Sequence, residues 1–431
     1  MPVFKKIIHF LLAWSAYWWY GRPSRKLIVV GVTGTKGKST SCRLIASVLE
    51  AGGNKVGLLT TVEFQIGDKR WLNDKKMTML GRGQIQSMLR QMVKAGCKYA
   101  VVETSSEGIL QYRHYGLNYD ISVFTNLGTE HSERHGGFAN LKRDKGKIFS
   151  QLMSRKNKIM AGQKVSKIIV ANFDDQHADY FWQFKADEKY GFGIKNSAQT
   201  SNFVLGKNIM ANENGSEFEV GANKYKLNIL GEFNVYNALA AIAVGQSQNI
   251  SADKIAAGLA SVKLVEGRME LVNPGEDFKV IVDYAHEPMS LTELFKSLRR
   301  LVGADHKIIS VIGSDGGGRD KGKRELMGEL AGKLTDFVVV TDVNCYDEDP
   351  KQIAEMLAVG ARKADKKDNT DLFVVVDRRE AIAKAISLAK AGDVVVITAK
   401  GTEPFIGIAG GQKIPWDDRK VAREILAGLS K

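Results

Sequence analysis

A chain of 431 residues that is 44% hydrophobic and holds only 7 prolines predicts two or three compact domains and excludes a disordered or low-complexity protein. Its formal net charge of +14 favours acidic partners, whether nucleotides, nucleic acid or an anionic membrane surface, against the plainer alternative of a solvated basic exterior. Three well-separated cysteines, Cys42, Cys97 and Cys345, exclude a disulfide framework or a Cys-x-x-Cys zinc site and fit a reducing cytoplasm.

The first segment, "FKKIIHFLLAWSAYWWYGRPSRK", has an apolar and aromatic centre from Ile7 to Tyr20 with basic residues on both sides. Those 14 residues fall short of the roughly 20 that span a bilayer as a helix. They also lack the small-residue cleavage site of a signal peptide. Two alternatives stand: a helix packed on the first domain, or an interfacial helix with Trp18, Trp19 and Tyr20 at headgroup level.

The strand "LIVVGV" (27–32) then runs into "GVTGTKGKST" (31–40). Five residues separate Gly31 from Gly37, one more than in the common P-loop. A helix beginning near Ser39, with Leu44, Ile45, Val48 and Leu49 on its apolar face, ends at Gly52-Gly53. In that setting the loop N–H groups and the helix N-terminus face phosphates, Lys38 bridges the terminal phosphates, and Ser39 holds a magnesium ion.

Strands are next predicted at 99–103, 121–125 and 167–171. Glu103 ends the first of these, where a carboxylate completes a magnesium site. "FTNLGTEHSERHGG" follows the second and gathers Asn126, Glu130, His131 and His135. From about 192 to 230 the alternating, Asn- and Gly-rich text predicts hairpins, and two Ala-rich helices come after it. Beyond a boundary near 265–270, apolar runs at 279–283, 307–312, 336–341, 372–376 and 393–398 predict a second parallel sheet. The fold class is therefore α/β: residues 1–26 as an apolar and aromatic segment, 27–266 as a central P-loop ATPase domain with a parallel sheet, and 267–431 as a Rossmann-like domain.

On these motifs the sequence resembles the Mur ligase family, the ATP-dependent amide ligases of peptidoglycan precursor synthesis, and within it the branch that adds the third residue of the stem peptide. The family's longer glycine loop is Thr33 to Ser39, with Lys36 at its usual Asn position. Its E-[VT]-S-S segment is Glu103 to Ser106, followed by Glu107, and its T-N-L…H-G segment is Thr125 to Gly136. "GEFNVYNALAA", "GRME", "VDYAH", "GSDGGGRDKGKR" and "AKGTEPF" follow in order.

The resemblance implies ATP and Mg2+ as cofactors. It places the nucleotide on Gly34, Thr35, Lys36, Gly37, Lys38, Ser39 and Thr40, with Asn234, Asn237, Arg268, Asp283 and His286. It places magnesium on Ser39 and Glu103, and a second ion on His131 and a carbamylated Lys145; an unmodified Lys145 paired with an acid is the alternative. Lys38, Lys145, His131 and Arg268 become the catalytic set. Thr104, Ser105, Ser106, Arg113, Asn344, Lys400 and Glu403 become the substrate set. A muramyl-peptide-like carboxylate would become an acyl phosphate and be attacked by an amino acid's amine. ATP is expected in a cleft between the two large domains, whose closure accompanies catalysis.

Two departures from the family pattern matter. Only residues 1–26 precede the central domain, so the UDP-sugar-binding domain is expected to be missing and a lipid-linked donor becomes an alternative. The Asp-Asn-Pro-Arg of the family members that add meso-diaminopimelate is replaced by Val343, Asn344, Cys345 and Tyr346, which removes the bidentate grip on the incoming amino acid's carboxylate. Asp342, Asp347 and Glu403 point instead to a basic acceptor such as lysine or another diamine. A folylpolyglutamate-synthetase-like ligase and a non-catalytic nucleotide-binding regulator are the other readings. No nucleic-acid partner is expected, since no basic run is interleaved with aromatics. A cytoplasmic monomer is expected, with weak membrane-surface contact through residues 7–20 at the inner face.

Overall fold

The computed structural model describes residues 3–75, 77–128, 132–154, 157–195, 200–273, 277–318 and 321–429. The chain divides into two compact units, Met1–Met210 with Asn214–Lys263, and Ala211–Glu213 with Leu264–Lys431.

The first unit opens with α1 (Val3–Trp19), whose Ala13 and Tyr17 are buried and which packs against α3 (Arg82–Lys94). Phe10 sets its ring edge-on to Tyr115 at 4.9 Å, and the Tyr17 hydroxyl accepts from Asn118 at 3.1 Å. Between these helices come β1 (Ile28–Thr33), α2 (Lys38–Ala51), β2 (Val56–Leu59), β3 (Glu63–Ile66) and β4 (Lys69–Leu72). After them run β5 (Tyr99–Glu103), α4 (Ser106–Leu110), β6 (Ile121–Phe124), α5 (Ser132–His135) and α6 (Phe138–Ser150). A short hairpin, β7 (Ile159–Met160) and β8 (Gln163–Lys164), leads to β9 (Ile168–Asn172), α7 (Ala178–Trp182) and β10 (Glu188–Gly193). The unit closes with β11 (Phe203–Asn212), β12 (Gly215–Val220), β13 (Asn223–Leu227), α8 (Asn234–Ser247) and α9 (Ala252–Ser261).

One sheet takes eleven of these strands in the order β13-β12-β11-β10-β9-β6-β1-β5-β2-β3-β4. From β11 to β2 the neighbours are parallel, and β1, β2, β5, β6 and β9 are buried along their whole length. That is why β1, β5, β6 and β9 read as apolar runs in the sequence, whereas β2, a four-residue "VGLL", was not predicted. The edges are antiparallel, β2-β3-β4 on one side and β12-β13 on the other. β1 lies between β5 and β6, so the loops after all three strands leave from one edge of the sheet at the point where chain order reverses.

The amino ends of the same strands are tied together by one buried carboxylate. Asp120, fully buried, accepts from Lys158 at 2.5 Å, from Lys167 at 2.9 Å and from the Val29 backbone N–H at 2.9 Å. Burial pulls the Lys158 ammonium down to about 8, against the opposing attraction of Asp120.

The second unit alternates strand and helix: β14 (Glu270–Leu271), β15 (Lys279–Val282), α10 (Pro288–Val302), β16 (Ile308–Ile312), α11 (Gly322–Leu334) and β17 (Phe337–Val340). It continues through α12 (Pro350–Lys363), β18 (Leu372–Val374), α13 (Arg378–Leu388), β19 (Val394–Ile397), a small hairpin of β20 (Phe405–Gly407) and β21 (Lys413–Pro415), and α14 (Asp418–Leu429). Its sheet runs β14-β15-β19-β16-β17-β18, parallel except for β14. The core under α13 and α14 is built from Val282, Val311, Val339, Ile382 and Val395.

Candidate active site

The loop after β1 begins α2 at Lys38, so the first N–H groups of that helix are presented with the loop's own. Gly37, the residue before it, has φ +76, and a Cβ there would meet the Asn237 Oδ1 at 2.3 Å. Only glycine fits both the left-handed backbone and that approach. Asn237 is pinned in turn, its Oδ1 accepting from Ser41 at 2.9 Å and its Nδ2 donating to Asn234 at 2.8 Å. Both predicted nucleotide-side asparagines of α8 therefore brace the loop from behind.

The segment after β6 grips the same loop from the other side. Asn126 accepts from the Lys36 N–H at 2.8 Å and donates to its carbonyl at 3.2 Å. Thr125 donates to the Lys36 carbonyl at 2.7 Å, and the Gly128 N–H reaches the Thr35 hydroxyl at 2.8 Å. The Lys38 ammonium donates back to the Thr35 carbonyl at 2.8 Å, curling over the loop.

Two predicted magnesium ligands meet here. The Ser39 hydroxyl donates to Glu103 Oε2 at 2.7 Å, and the Thr61 N–H donates to the same oxygen at 2.8 Å. A buried hydroxyl beside a buried carboxylate at a phosphate loop is the hard oxygen set that magnesium takes, so these residues fit the ion. Lys145, buried on α6, donates to the Gly34 carbonyl at 2.7 Å. Its terminal nitrogen thus reaches the loop from the opposite wall. His131 and Glu130 lie outside the described residues.

One neighbour was missed by sequence reasoning. His135 Nδ1 bonds Asp144 at 2.7 Å, with the imidazole fully buried. Burial would raise the Asp144 carboxyl, yet hydrogen bonds from His135 and Lys147 hold it below the usual range. The available signal for Asp144 was its position one residue before Lys145, midway along an amphipathic helix.

The predicted donor residues are largely occupied with structure. Thr104 Oγ1 pairs with the Tyr119 hydroxyl at 3.0 Å, and Ser105 caps α4 by accepting from Gly108 at 3.1 Å. Arg113 donates to the Met79 carbonyl at 2.5 Å and to Gln111 Oε1 at 2.7 Å. Ser106 is buried at the start of α4.

In the second unit, the other predicted residues gather at the carboxyl ends of β15, β16, β17 and β19. Asp283 accepts from the Met269 and Ala285 N–H groups at 2.8 and 2.7 Å, and burial raises its carboxyl despite nearby Arg268. The first of these bonds holds Met269 at φ +48. Arg268 lies over the Tyr284 ring at 4.5 Å. Burial lowers the His286 imidazole, whose Nδ1 faces the Tyr284 carbonyl at 2.7 Å, so at neutral pH it is uncharged. Asn344 donates to Asp315 at 2.7 Å and Glu403 at 3.1 Å, while the fully buried Lys400 reaches Glu403 at 3.2 Å and the Phe405 carbonyl at 2.8 Å. Residues 319 and 320 of the predicted 313–324 loop lie outside the described residues.

Residues 32–245 match the Mur ligase middle domain and residues 267–401 the Mur ligase glutamate ligase domain, together more than half of the chain. The chain belongs to the Mur ligase family. It is 38% identical to the UDP-N-acetylmuramyl-tripeptide synthetase of Roseiflexus sp. (strain RS-1), over 95% of this chain and 80% of that one. It is 36% identical to the UDP-N-acetylmuramoyl-L-alanyl-D-glutamate--2,6-diaminopimelate ligase of Geobacillus kaustophilus, over 94% and 80%. A solved structure of a diaminopimelate ligase superposes with a TM-score of 0.63 at 28% identity, covering 94% of this chain and 79% of that one. Mycobacterium tuberculosis folylpolyglutamate synthase, solved with ADP and AMPPCP, shares the fold with a TM-score of 0.67 at 17% identity, over 91% and 96%. The protein is thus an ATP-dependent peptide ligase of peptidoglycan precursor synthesis.

Proposed function

We propose that this ligase joins a muramyl-peptide carboxylate to the amine of one amino acid through an acyl phosphate, acting as a monomer in the cytoplasm. Support comes from the convergence of Lys38, the Ser39–Glu103 pair and Lys145 on one braced glycine loop. The donor carboxylate attacks the γ-phosphorus of ATP, and ADP leaves. The amine then attacks the acyl carbonyl, loses a proton, and inorganic phosphate departs as the peptide bond forms. Lys38 supplies positive charge to the transferring group, and the loop N–H groups hold it in line. Magnesium, when held by Ser39 and Glu103, neutralises charge on the phosphate oxygens.

Lys145 supplies either an ammonium or, once carbamylated, a carboxylate beside the loop. Lys145→Ala is expected to lower turnover by about a hundredfold or more. Partial recovery with added acetate but none with methylamine would identify the carbamate, and the opposite pattern the ammonium.

For the acceptor, Asp315, Asp342, Asp347 and Glu403 around the β16, β17 and β19 ends favour a basic amino acid. Glu403 is partly neutralised by Lys400, which leaves Asp315, Asp342 and Asp347 as the acids that select it. Phosphate release from ATP and magnesium, with UDP-N-acetylmuramoyl-L-alanyl-D-glutamate and a panel of amino acids, tests the proposal. Release that depends on one basic amino acid, with a product heavier by that residue, is the expected result. Absence of release with every amino acid, for this donor and for a lipid-linked equivalent, would sink it.

A further inference from the structure

Ligase chemistry leaves α1 unexplained. Its covered stripe is narrow: His9, Phe10, Ala13, Ala16, Tyr17 and Tyr20, at helical spacing, turn inward onto α3 and the 112–118 turn. From Ile7 onward the rest of the helix is apolar and bare, apart from Ser15. Phe4 is 73% exposed, Leu11 54%, Trp18 50% and Trp19 82%, and Ile7 and Trp14 are exposed beside them. Eight of the 18 exposed large hydrophobic side chains among the described residues sit on this one helix. A helix that is apolar all round is normally covered on every side.

Charge decides what covers it. Lys5 and Lys6 stand exposed at one end and Arg25 and Lys26 just past the other, and no carboxylate pairs with any of them among the described residues. Arg22 lies over the Trp18 ring at 4.5 Å. The sequence holds no Asp or Glu before Glu50. A second copy docking through the same face would set these cations against their own kind. An anionic lipid surface complements them instead, with the tryptophans at the level where indoles settle. The helix is not long and apolar enough to cross a bilayer, and its 17 residues span about 25 Å.

We propose that α1 is an interfacial anchor, lying in the plane of an anionic membrane with its outer apolar face among the acyl chains and its flanking cations at the headgroups. The tested partner is the bilayer itself.

Co-sedimentation of the full chain with vesicles of phosphatidylcholine alone, and with vesicles rich in phosphatidylglycerol, reads the partition directly. The expected result is binding to the anionic vesicles that falls by about tenfold or more in Leu11→Gln/Trp18→Gln/Trp19→Gln. Those side chains are exposed, so unchanged thermal melting will show that the variant still folds. Quenching of wild-type tryptophan fluorescence by brominated phosphatidylglycerol is expected alongside. A chain that stays in the supernatant with both vesicle types, or a variant that sediments like the wild type, would overturn the proposal. So would a lipid-free dimer that the same substitutions dissociate.

Discussion

Lys38→Ala is expected to abolish measurable phosphate release, a loss of about a thousandfold or more in turnover, without lowering the melting temperature. The side chain is half-buried over the glycine loop and donates to the nearby Thr35 carbonyl, so its removal opens no core cavity. Alanine is also compatible with the helical backbone at the first position of α2. What is lost is a positive charge at the site where the γ-phosphate gains negative charge in flight. A neutral Lys38→Met side chain should fail as completely as alanine, because shape is not what the position supplies. Turnover within tenfold of the wild type would place phosphoryl transfer elsewhere.

The largest stability effect is expected at Asp120. Asp120→Ala removes the carboxylate shared by Lys158 and Lys167, two lysines that are themselves 7% and 2% exposed in their side chains. Both would be left as buried cations with only carbonyls for partners: Leu27 and Asn118 for Lys158, and Tyr119 for Lys167. Breaking a buried pair from one side costs about 3–5 kcal/mol. A fall of roughly ten degrees in the melting temperature of the first unit follows. Adding Lys167→Met should recover part of that loss, because the second change removes a charge that no longer has a counterion. A melting curve that does not move on Asp120→Ala would show that water reaches this end of the sheet.

Parallel strands were legible in the sequence because burial on both faces leaves an unbroken apolar run, as in "KLIVV" and "DVVVIT". β3 and β4 were not, since Glu63 and Gln65 alternate with apolar residues in β3 and the charged pair Lys69-Arg70 opens β4, so this antiparallel edge imitates a loop. β10 hid for a different reason: "EKYGFG" holds two glycines, and Gly191 is required where the Phe203 ring packs against its backbone. At the site, the glycine loop and Glu103 announce themselves by local pattern. Asp120 and Asp144 do not, for neither has a motif. Asp120 is defined by lysines 38 and 47 residues away, and Asp144 by an imidazole nine residues back. Asn237 carried a family motif, yet its contact with Gly37 exists only once α8 has packed on α2.

The placement of β19 bears on how the protein is made. In sequence it is the last parallel strand of the second unit, but in space it lies between β15 and β16, at the middle of the sheet. The first unit's sheet is complete once Leu227 has been synthesised. The second cannot close until Val394–Ile397 emerges from the ribosome. Nascent chains therefore carry a finished phosphate-binding unit and an exposed α1 while the remainder waits with two unsatisfied strand edges. A ribosome stalled before residue 394 would hold a species that binds nucleotide, recruits chaperones through those edges, and cannot ligate.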